Sequence, residues 1–457
     1  MTTHTTNVDT ICALATAPGG ALGIIRVSGP AAFAVVSSLC SVCCADSAAN
    51  TVHYTHITDG SEIIDEVMVS IFRAPHSYTG EDSVEISCHG SRYILYKVLE
   101  LLVLNGCRMA GPGEFTQRAY LNGKMDLSQA EAVADLIAAS NKATHKMAMS
   151  QLRGGISSQL ATLRERLLKL TSLLELELDF SDHEDLEFAD RSELTAIAED
   201  INTRISRLAH SFETGLALKQ GIPVAIVGKT NVGKSTLLNL LLHEERAIVS
   251  DIHGTTRDTI EDTIDIMGVN FRFIDTAGIR QTSDTIEQIG IGRTYAAIDK
   301  ARIVIWLIDC VPTIAEQEDM TNRCQDKALI IVSNKSDKGI AIKDTSISIP
   351  CSSFLQISAK TGHNADKLEA KLIEAAGIPE LNDTDIIVSS ARQYDALLRA
   401  SESLDRVISG LHSGLSGDLV SEDLRIVLDD LADITGQGRI VTSEVLDNIF
   451  QHFCVGK

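Results

Sequence analysis

No apolar run in the 457-residue chain is long enough to span a bilayer. Its first residues, Met1 to Asp9, have neither the basic region nor the apolar core of a secretory signal. A cytosolic (cytoplasmic) protein with no membrane contact is the expectation. Basic side chains are scarce: 40 Lys and Arg stand against 62 Asp and Glu, for a formal net charge of -22. Such a surface repels phosphate backbones as a whole, so any nucleic-acid contact must use a local basic patch, a partner protein or an already neutralised site. The ten cysteines are scattered. Cys40-Ser41-Val42-Cys43-Cys44 lacks the second pair that would complete a zinc set, and reduced thiols in a helix or loop are expected there. The chain has no internal repeat and no low-complexity linker, and its acidic stretch from Glu175 to Glu187 reads as a solvated helix end or loop.

What the chain does have is a change of texture along its length. At 457 residues it is too long for one core, and two to four domains are expected. From Thr10 to about Tyr120 short strands alternate with helices: Ile24 to Val27 and Val84 to Ser87 read as strands, Asp59-Gly60 as a hairpin turn, and Tyr93 to Leu104 as a helix stopped by Gly106. From Leu127 to about Ala217 the pattern is helical, with apolar residues at 3.6 spacing from Leu160 to Leu178, and the same texture returns from Ser389 to Phe453. Between them, Ile222 to about Glu380 alternates strand and helix as a doubly wound sheet does. The fold class expected is multidomain α/β: an N-terminal α+β domain over 1–122, an all-α domain over 123–220 and 381–457, and an inserted nucleotide-binding domain over 221–380.

The insertion carries the chemistry. Pro223 to Val227 reads as a buried strand, and Thr236 onward as a helix. Between them Gly228-Lys229-Thr230-Asn231-Val232-Gly233-Lys234-Ser235 has P-loop spacing. Glycines let backbone N–H groups close around phosphate oxygens, and the helix N-terminus adds positive potential. Lys234 would reach the β- and γ-phosphates and Ser235 would hold Mg²⁺. Thr256, in Gly254-Thr255-Thr256-Arg257-Asp258, offers a second oxygen to Mg²⁺ on a loop that the γ-phosphate would order. Asp275-Thr276-Ala277-Gly278 ends a strand in DxxG, and Asn334-Lys335-Ser336-Asp337 ends another in NKxD. Guanine presents N1–H and an exocyclic amine as adjacent donors, which the Asp337 carboxylate accepts together and adenine lacks. Ser358-Ala359-Lys360 adds a backbone donor for the guanine oxygen. The expected GTP contacts are Asn231, Val232, Gly233, Lys234, Ser235, Thr236, Ser250, Asp251, Ile252, His253, Gly254, Thr255, Thr256, Asp275, Thr276, Ala277, Gly278, Asn334, Lys335, Asp337, Ser358, Ala359 and Lys360. After DxxG, where a Ras-like domain places a water-orienting Gln, stands Ile279. An aliphatic side chain accepts no hydrogen bond from water. Either hydrolysis is slow, or another polar residue and another positive charge are brought in.

Outside the insertion stand Pro18 to Gly29, Tyr78-Thr79-Gly80-Glu81-Asp82 through Cys88-His89-Gly90, Gly111 to Thr116, Leu121-Asn122-Gly123-Lys124 and the terminal Phe453-Cys454-Val455-Gly456-Lys457. With the GTPase motifs, this set resembles the MnmE (TrmE) family of tRNA-modification GTPases over essentially the whole chain. The resemblance implies a homodimer formed by a folate-binding N-terminal domain. It also implies a flavoprotein partner, MnmG (GidA), in a heterotetramer or larger complex. With it, the chain would use a tetrahydrofolate derivative (5-formyl- or methylene-tetrahydrofolate) to place an aminomethyl or carboxymethylaminomethyl group at C5 of the wobble uridine of certain tRNAs.

By matching positions, folate contacts fall on Arg26, Glu85, Lys124 and Lys457, and K⁺ ligands on Asn231, Ser250, Ile252 and Thr255. The resemblance implies that K⁺ replaces an arginine finger, so Arg257 has no such role, and that Glu287 positions the attacking water. A carboxylate also suits the paired donors of a pterin edge, and cations suit an anionic folate tail. The chain departs from the family at Thr230, where Pro is usual, and at Gln437-Gly438-Arg439, which looks like a small insertion. The Cys454 end fits a prenylation box poorly, and no base is visible to make that thiol a nucleophile. A GTP-gated switch for RNA or ribosome assembly, without modification chemistry, is the other reading. It would not need Arg26, Glu85, Lys124 or Lys457.

Overall fold

The computed structural model describes residues 9–179, 191–244, 262–274, 287–339, 353–378, 386–436, 443–451 and 453–456, with isolated positions from 342 to 349. Two compact units result. One holds the chain up to Ala138, Gln151–Ser206 and the residues from Asp395 on; the other holds Ala139–Ser150 and Arg207–Tyr394.

The first unit starts with strands β1 (Thr10–Leu14), β2 (Leu22–Ser28), β3 (Thr51–Asp59), β4 (Glu62–Phe72), β5 (Ser83–His89) and β6 (Cys107–Met109). Their order is β3-β4-β5-β2-β1-β6, and only the β1–β6 pair is parallel. Period-2 alternation puts Ile25, Val27, Val67, Val69, Ile71, Val84 and Ile86 on one face. Helices α1 (Ala32–Leu39) and α2 (Arg92–Leu104) cover that face with Val35, Val36, Leu95 and Leu102. Arg26 and Glu85 alternate with these core residues and sit directly opposite one another across β2 and β5. The strands expected at Ile24 and Val84 and the helix ending near Leu104 lie within β2, β5 and α2, and the hairpin turn expected at Asp59-Gly60 joins β3 to β4. Helix α3 (Glu114–Leu121) follows β6.

Helices α4 (Leu127–Ala138), α5 (Lys142–Leu152), α6 (Gly155–Asp179) and α7 (Arg191–Gln220) come next. On α6 the buried residues Leu160, Leu163, Leu167, Leu170 and Leu174 recur every three or four positions, which gives the helix one apolar stripe.

In the second unit β7 (Ile222–Val227), α8 (Lys234–Glu244), β8 (Asp262–Ile266), β9 (Val269–Phe273), α9 (Glu287–Lys300), β10 (Ile303–Ile308), α10 (Ile314–Arg323), β11 (Ala328–Ser333), β12 (Ser353–Gln356) and α11 (Ala365–Ala376) form a doubly wound sheet. Its order is β12-β11-β10-β7-β9-β8, parallel except for β8. Apolar clusters cover both faces, so β10 is buried at every position and its sequence, Ile-Val-Ile-Trp-Leu-Ile, does not alternate.

Helices α12 (Ala391–His412), α13 (Gly417–Thr435) and α14 (Ser443–Phe450) end the chain, with α13 packed against α6. Phe450 and Phe453 join Leu127 and Ala130 in one cluster, and Val455 bridges to Pro112. The last residues thereby lie against the N-terminal sheet domain.

Candidate functional site

In the second unit, β7 ends at Val227 and α8 begins at Lys234, so the glycine-rich segment is the turn from a buried strand to a helix N-terminus. Asn231 is left-handed there (φ 61°). A Cβ on Gly233 would lie 2.4 Å from Asn334 Nδ2, and φ at Gly233 is +103°, so the close approach requires glycine. The Asn334 amide donates to the Val232 carbonyl at 2.7 Å while its Oδ1 accepts from the Ala359 N–H at 2.9 Å. One buried side chain thus ties the P-loop to the Ser358-Ala359-Lys360 turn. Ser358 Oγ donates to Asp337 Oδ1 at 2.8 Å, and this bond holds the Asp337 carboxyl below its ordinary value, ready to accept a pair of donors. Lys335 Nζ donates to Asp309 Oδ2 at 2.6 Å.

Lys234 Nζ donates to the Gly228 and Lys229 carbonyls at 2.7 and 2.8 Å, and burial pushes its pKa down. Ser235 and Thr236 lie in the first turn of α8, and Thr230 is an exposed turn residue. An anion in this turn would meet the ammonium and the helix N-terminus together, so the residues present fit a bound phosphate.

In the first unit Arg26 Nε and Nη2 both donate to Glu85 Oε1, at 3.0 and 2.8 Å. Nη1 donates to the Gly456 carbonyl at 3.3 Å. The guanidinium carbon lies 5.3 Å from the Tyr78 ring centroid. Phe72, Tyr78, Thr79 and Ser83 join the Arg26–Glu85 pair around a cavity of about 140 Å³. Lys124 is adjacent in a different way: its Nζ donates to the Pro75 carbonyl at 2.8 Å, and its stem lies against Gly80, in the loop that carries Tyr78 and Thr79. The C-terminal tail is seated by a close fit. Gly456 has φ +95°, and a Cβ there would stand 2.1 Å from the Leu14 carbonyl oxygen.

The structure thus brings together Asn231, Val232, Gly233, Lys234, Asn334 and Ala359 around one turn, and Arg26 with Glu85 around one cavity. Ser250, Asp251, Ile252, His253, Gly254, Thr255, Thr256, Asp275, Thr276, Ala277, Gly278 and Lys457 lie outside the described residues, as do 437–439 and most of the acidic stretch after Glu175. Glu287 opens α9, and its side chain is likewise outside them. Sequence reasoning gave no role to Phe72, Tyr78, Thr79, Ser83 or Asp309. Tyr78 and Thr79 had a signal in the Tyr78-to-Asp82 motif, but nothing in the spacing marks Asp309 as the partner of Lys335. Among the described residues no group of three or more His, Cys, Asp or Glu is placed to hold a metal ion. The Cys40 and Cys44 thiols both lie within reach of the Val42 carbonyl. No helix among the described residues is long and apolar enough to cross a membrane.

The sequence profile of the MnmE helical domain matches residues 127–454, and that of the GTP-binding protein TrmE N-terminus matches residues 10–124. The tRNA modification GTPase MnmE of Bacteroides thetaiotaomicron is 54% identical over 99% of this chain and 100% of its own length. That of Phocaeicola vulgatus is 53% identical over 99% of each chain, and that of Porphyromonas gingivalis is 49% identical over 99% of each. Among solved structures, Era in complex with MgGDPNP and nucleotides 1506–1542 of 16S ribosomal RNA is 27% identical, with 39% of this chain and 65% of that chain covered and a TM-score of 0.25. The G domain of the T. maritima FeoB iron transporter is 22% identical, with 34% and 98% covered and a TM-score of 0.25.

Proposed function

The chain belongs to the MnmE family of tRNA modification GTPases, and from that premise we propose a K⁺-activated GTP hydrolase that works with the flavoprotein MnmG on the wobble uridine of certain tRNAs. It uses the one-carbon unit of a tetrahydrofolate derivative to build an aminomethyl-type group at C5. The protein is a homodimer through its N-terminal domain, with domain limits at 1–122, 123–220 with 381–457, and 221–380. The observation that most supports the folate part is the Arg26–Glu85 pair, which lies in a cavity and also bonds the backbone of Gly456 at the other end of the chain. A carboxylate there accepts paired pterin donors, and Arg26, Lys124 and Lys457 suit the anionic tail. A switch with no small-molecule chemistry has no use for such a site.

In the hydrolytic site Asp337 accepts from guanine N1–H and the exocyclic amine, and Lys234 meets the β- and γ-phosphates. Ser235 and Thr256 hold Mg²⁺. Asn231, Ser250, Ile252 and Thr255 hold K⁺, which when bound supplies the positive charge that an arginine finger gives elsewhere. Ile279 leaves the attacking water without an acceptor, and Glu287 orients it instead.

The test is steady-state GTP hydrolysis in KCl against NaCl at equal ionic strength, on wild type and Glu287→Ala. A rate raised at least tenfold in K⁺ only, and lost in Glu287→Ala with GTP binding kept, is expected. Equal slow rates in both salts would remove the K⁺ reading. Failure of the purified chain to retain 5-formyltetrahydrofolate would put the GTP-gated switch in its place.

A further inference from the structure

We propose that Arg118 is a positioning residue of the N-terminal ligand cavity, fixing from beneath the 75–81 loop whose Tyr78 and Thr79 form one wall. The idea rests on the folate reading of that cavity and adds to it the element that shapes it. Arg118 lies on α3 and is 1% exposed, among the largest fully buried side chains of the protein. Its Nη1 donates to Glu81 Oε2 at 3.2 Å and to the Asp9 carbonyl at 3.0 Å; its Nη2 donates to Asp9 Oδ1 at 2.8 Å and Glu114 Oε1 at 3.0 Å. Arg108 reaches the same two carboxylates, Asp9 and Glu114, from the outside.

Glu81 passes the restraint on. Its Oε2 accepts from Ser28 Oγ at 2.8 Å, and Ser28 Oγ lies 2.7 Å from Thr79 Oγ1 and 3.1 Å from Ser83 Oγ. Thr79 and Ser83 line the cavity. Three further ties run from α3 and the turn after it to the same loop. Thr116 Oγ1 pairs with Tyr78 OH at 2.9 Å, Asn122 Nδ2 donates to the Thr79 carbonyl at 2.8 Å, and Lys124 Nζ donates to the Pro75 carbonyl at 2.8 Å. Residues 116, 118, 122 and 124 therefore close onto one loop like a zip, with Arg118 as its buried tooth.

Burying a charge in this way is a poor route to stability. An ionic network taken out of water gains little over apolar packing of similar volume, and Arg118 Nε remains buried with no partner among the described residues. What the network supplies is direction: Arg118 Nη1, 3.3 and 3.2 Å from the two Glu81 oxygens, straddles that carboxylate and gives it one orientation, and through Ser28 the carboxylate orients the two hydroxyls at the cavity.

The test is calorimetric titration of 5-formyltetrahydrofolate into the full chain, wild type, Thr116→Val, Arg118→Lys and Arg118→Met, at a temperature where circular dichroism shows each folded, with GTP hydrolysis measured alongside. Thr116→Val, which removes only the Tyr78 tie, should weaken binding about tenfold, and Arg118→Met about a hundredfold, with Arg118→Lys between them and hydrolysis unchanged in all. A lower melting temperature with unchanged affinity would mean that the network serves folding alone and would overturn the proposal. If Arg118→Met does not fold, an unchanged affinity in Arg118→Lys overturns it just as well. If wild type itself binds no folate, the folate reading fails separately. Hydrogen exchange of the 75–81 peptide then decides: faster exchange in Arg118→Lys with α2 unchanged supports positioning by Arg118, and equal exchange refutes it.

Discussion

At Gly233 a single methyl group decides whether the nucleotide turn closes. The added Cβ would stand 2.4 Å from Asn334 Nδ2, the atom that holds the Val232 carbonyl, and φ there is +103°. Gly233→Ala should therefore lose guanine-nucleotide affinity by more than tenfold while the sheet stays folded. The chain's one tryptophan, Trp306, is buried on β10 and its emission reports the fold during a titration with a fluorescent GTP analogue. Affinity within twofold of wild type would mean that the turn yields without cost.

The glycines of this turn were legible in the sequence, because P-loop spacing encodes a backbone shape. Arg118 was not. A lone arginine on a helix reads as a solvated charge, and its acidic partners Asp9 and Glu81 stand 109 and 37 residues away. The contact of Arg26 with Gly456 spans 430 residues, and no local pattern carries it; only the family resemblance put Lys457 near the cavity.

Elements show the same division. Strands β2 and β5 and helix α2 follow from local alternation and stop signals, and the doubly wound sheet follows from apolar runs between helices. The order β3-β4-β5-β2-β1-β6 does not, because a parallel β1–β6 pair depends on what packs across the sheet rather than on either strand alone.

The acidic groups at the foot of α3 give that element a pH dependence. Burial alone would raise the Glu114 carboxyl, but Arg108, the Gly111 N–H and Arg118 outweigh it and hold it below the ordinary 4.5. Asp9 is held below 3.8 by the same two arginines against its own desolvation, although its exposure lets solvent screen part of the effect. Both folded values lie below the unfolded ones, so between them the unfolded chain binds more protons. The stability these groups contribute is complete above the unfolded values and is lost as pH falls through the folded ones. Urea unfolding followed by circular dichroism should show the midpoint falling from about pH 5 downward, less steeply in Glu114→Gln than in wild type. Parallel slopes for the two proteins would place the acid sensitivity elsewhere.

For the molecule as a whole, charge sets the terms on which RNA is met. At -22 the chain repels a polyanion at long range, and the cations of its C-terminal helices are largely occupied. Arg399 pairs with Asp395, Asp430 and Asp433, Arg406 with Asp423, and Arg425 with Glu175 and Glu422. A phosphate contact at any of these would first have to displace a carboxylate. The protein alone should therefore bind tRNA weakly and with a shallow dependence on salt, equivalent to fewer than about three neutralised phosphates, since each contributes about 0.7–0.9 to the slope of log K against log salt. On the proposed partnership, adding MnmG should tighten the complex more than tenfold and steepen that slope, because a chain this acidic needs a second protein to bring the positive surface. A partner-free complex as tight as the ternary one, with an equally steep slope, would place a basic patch elsewhere than at these arginines and would overturn the partner-supplied reading.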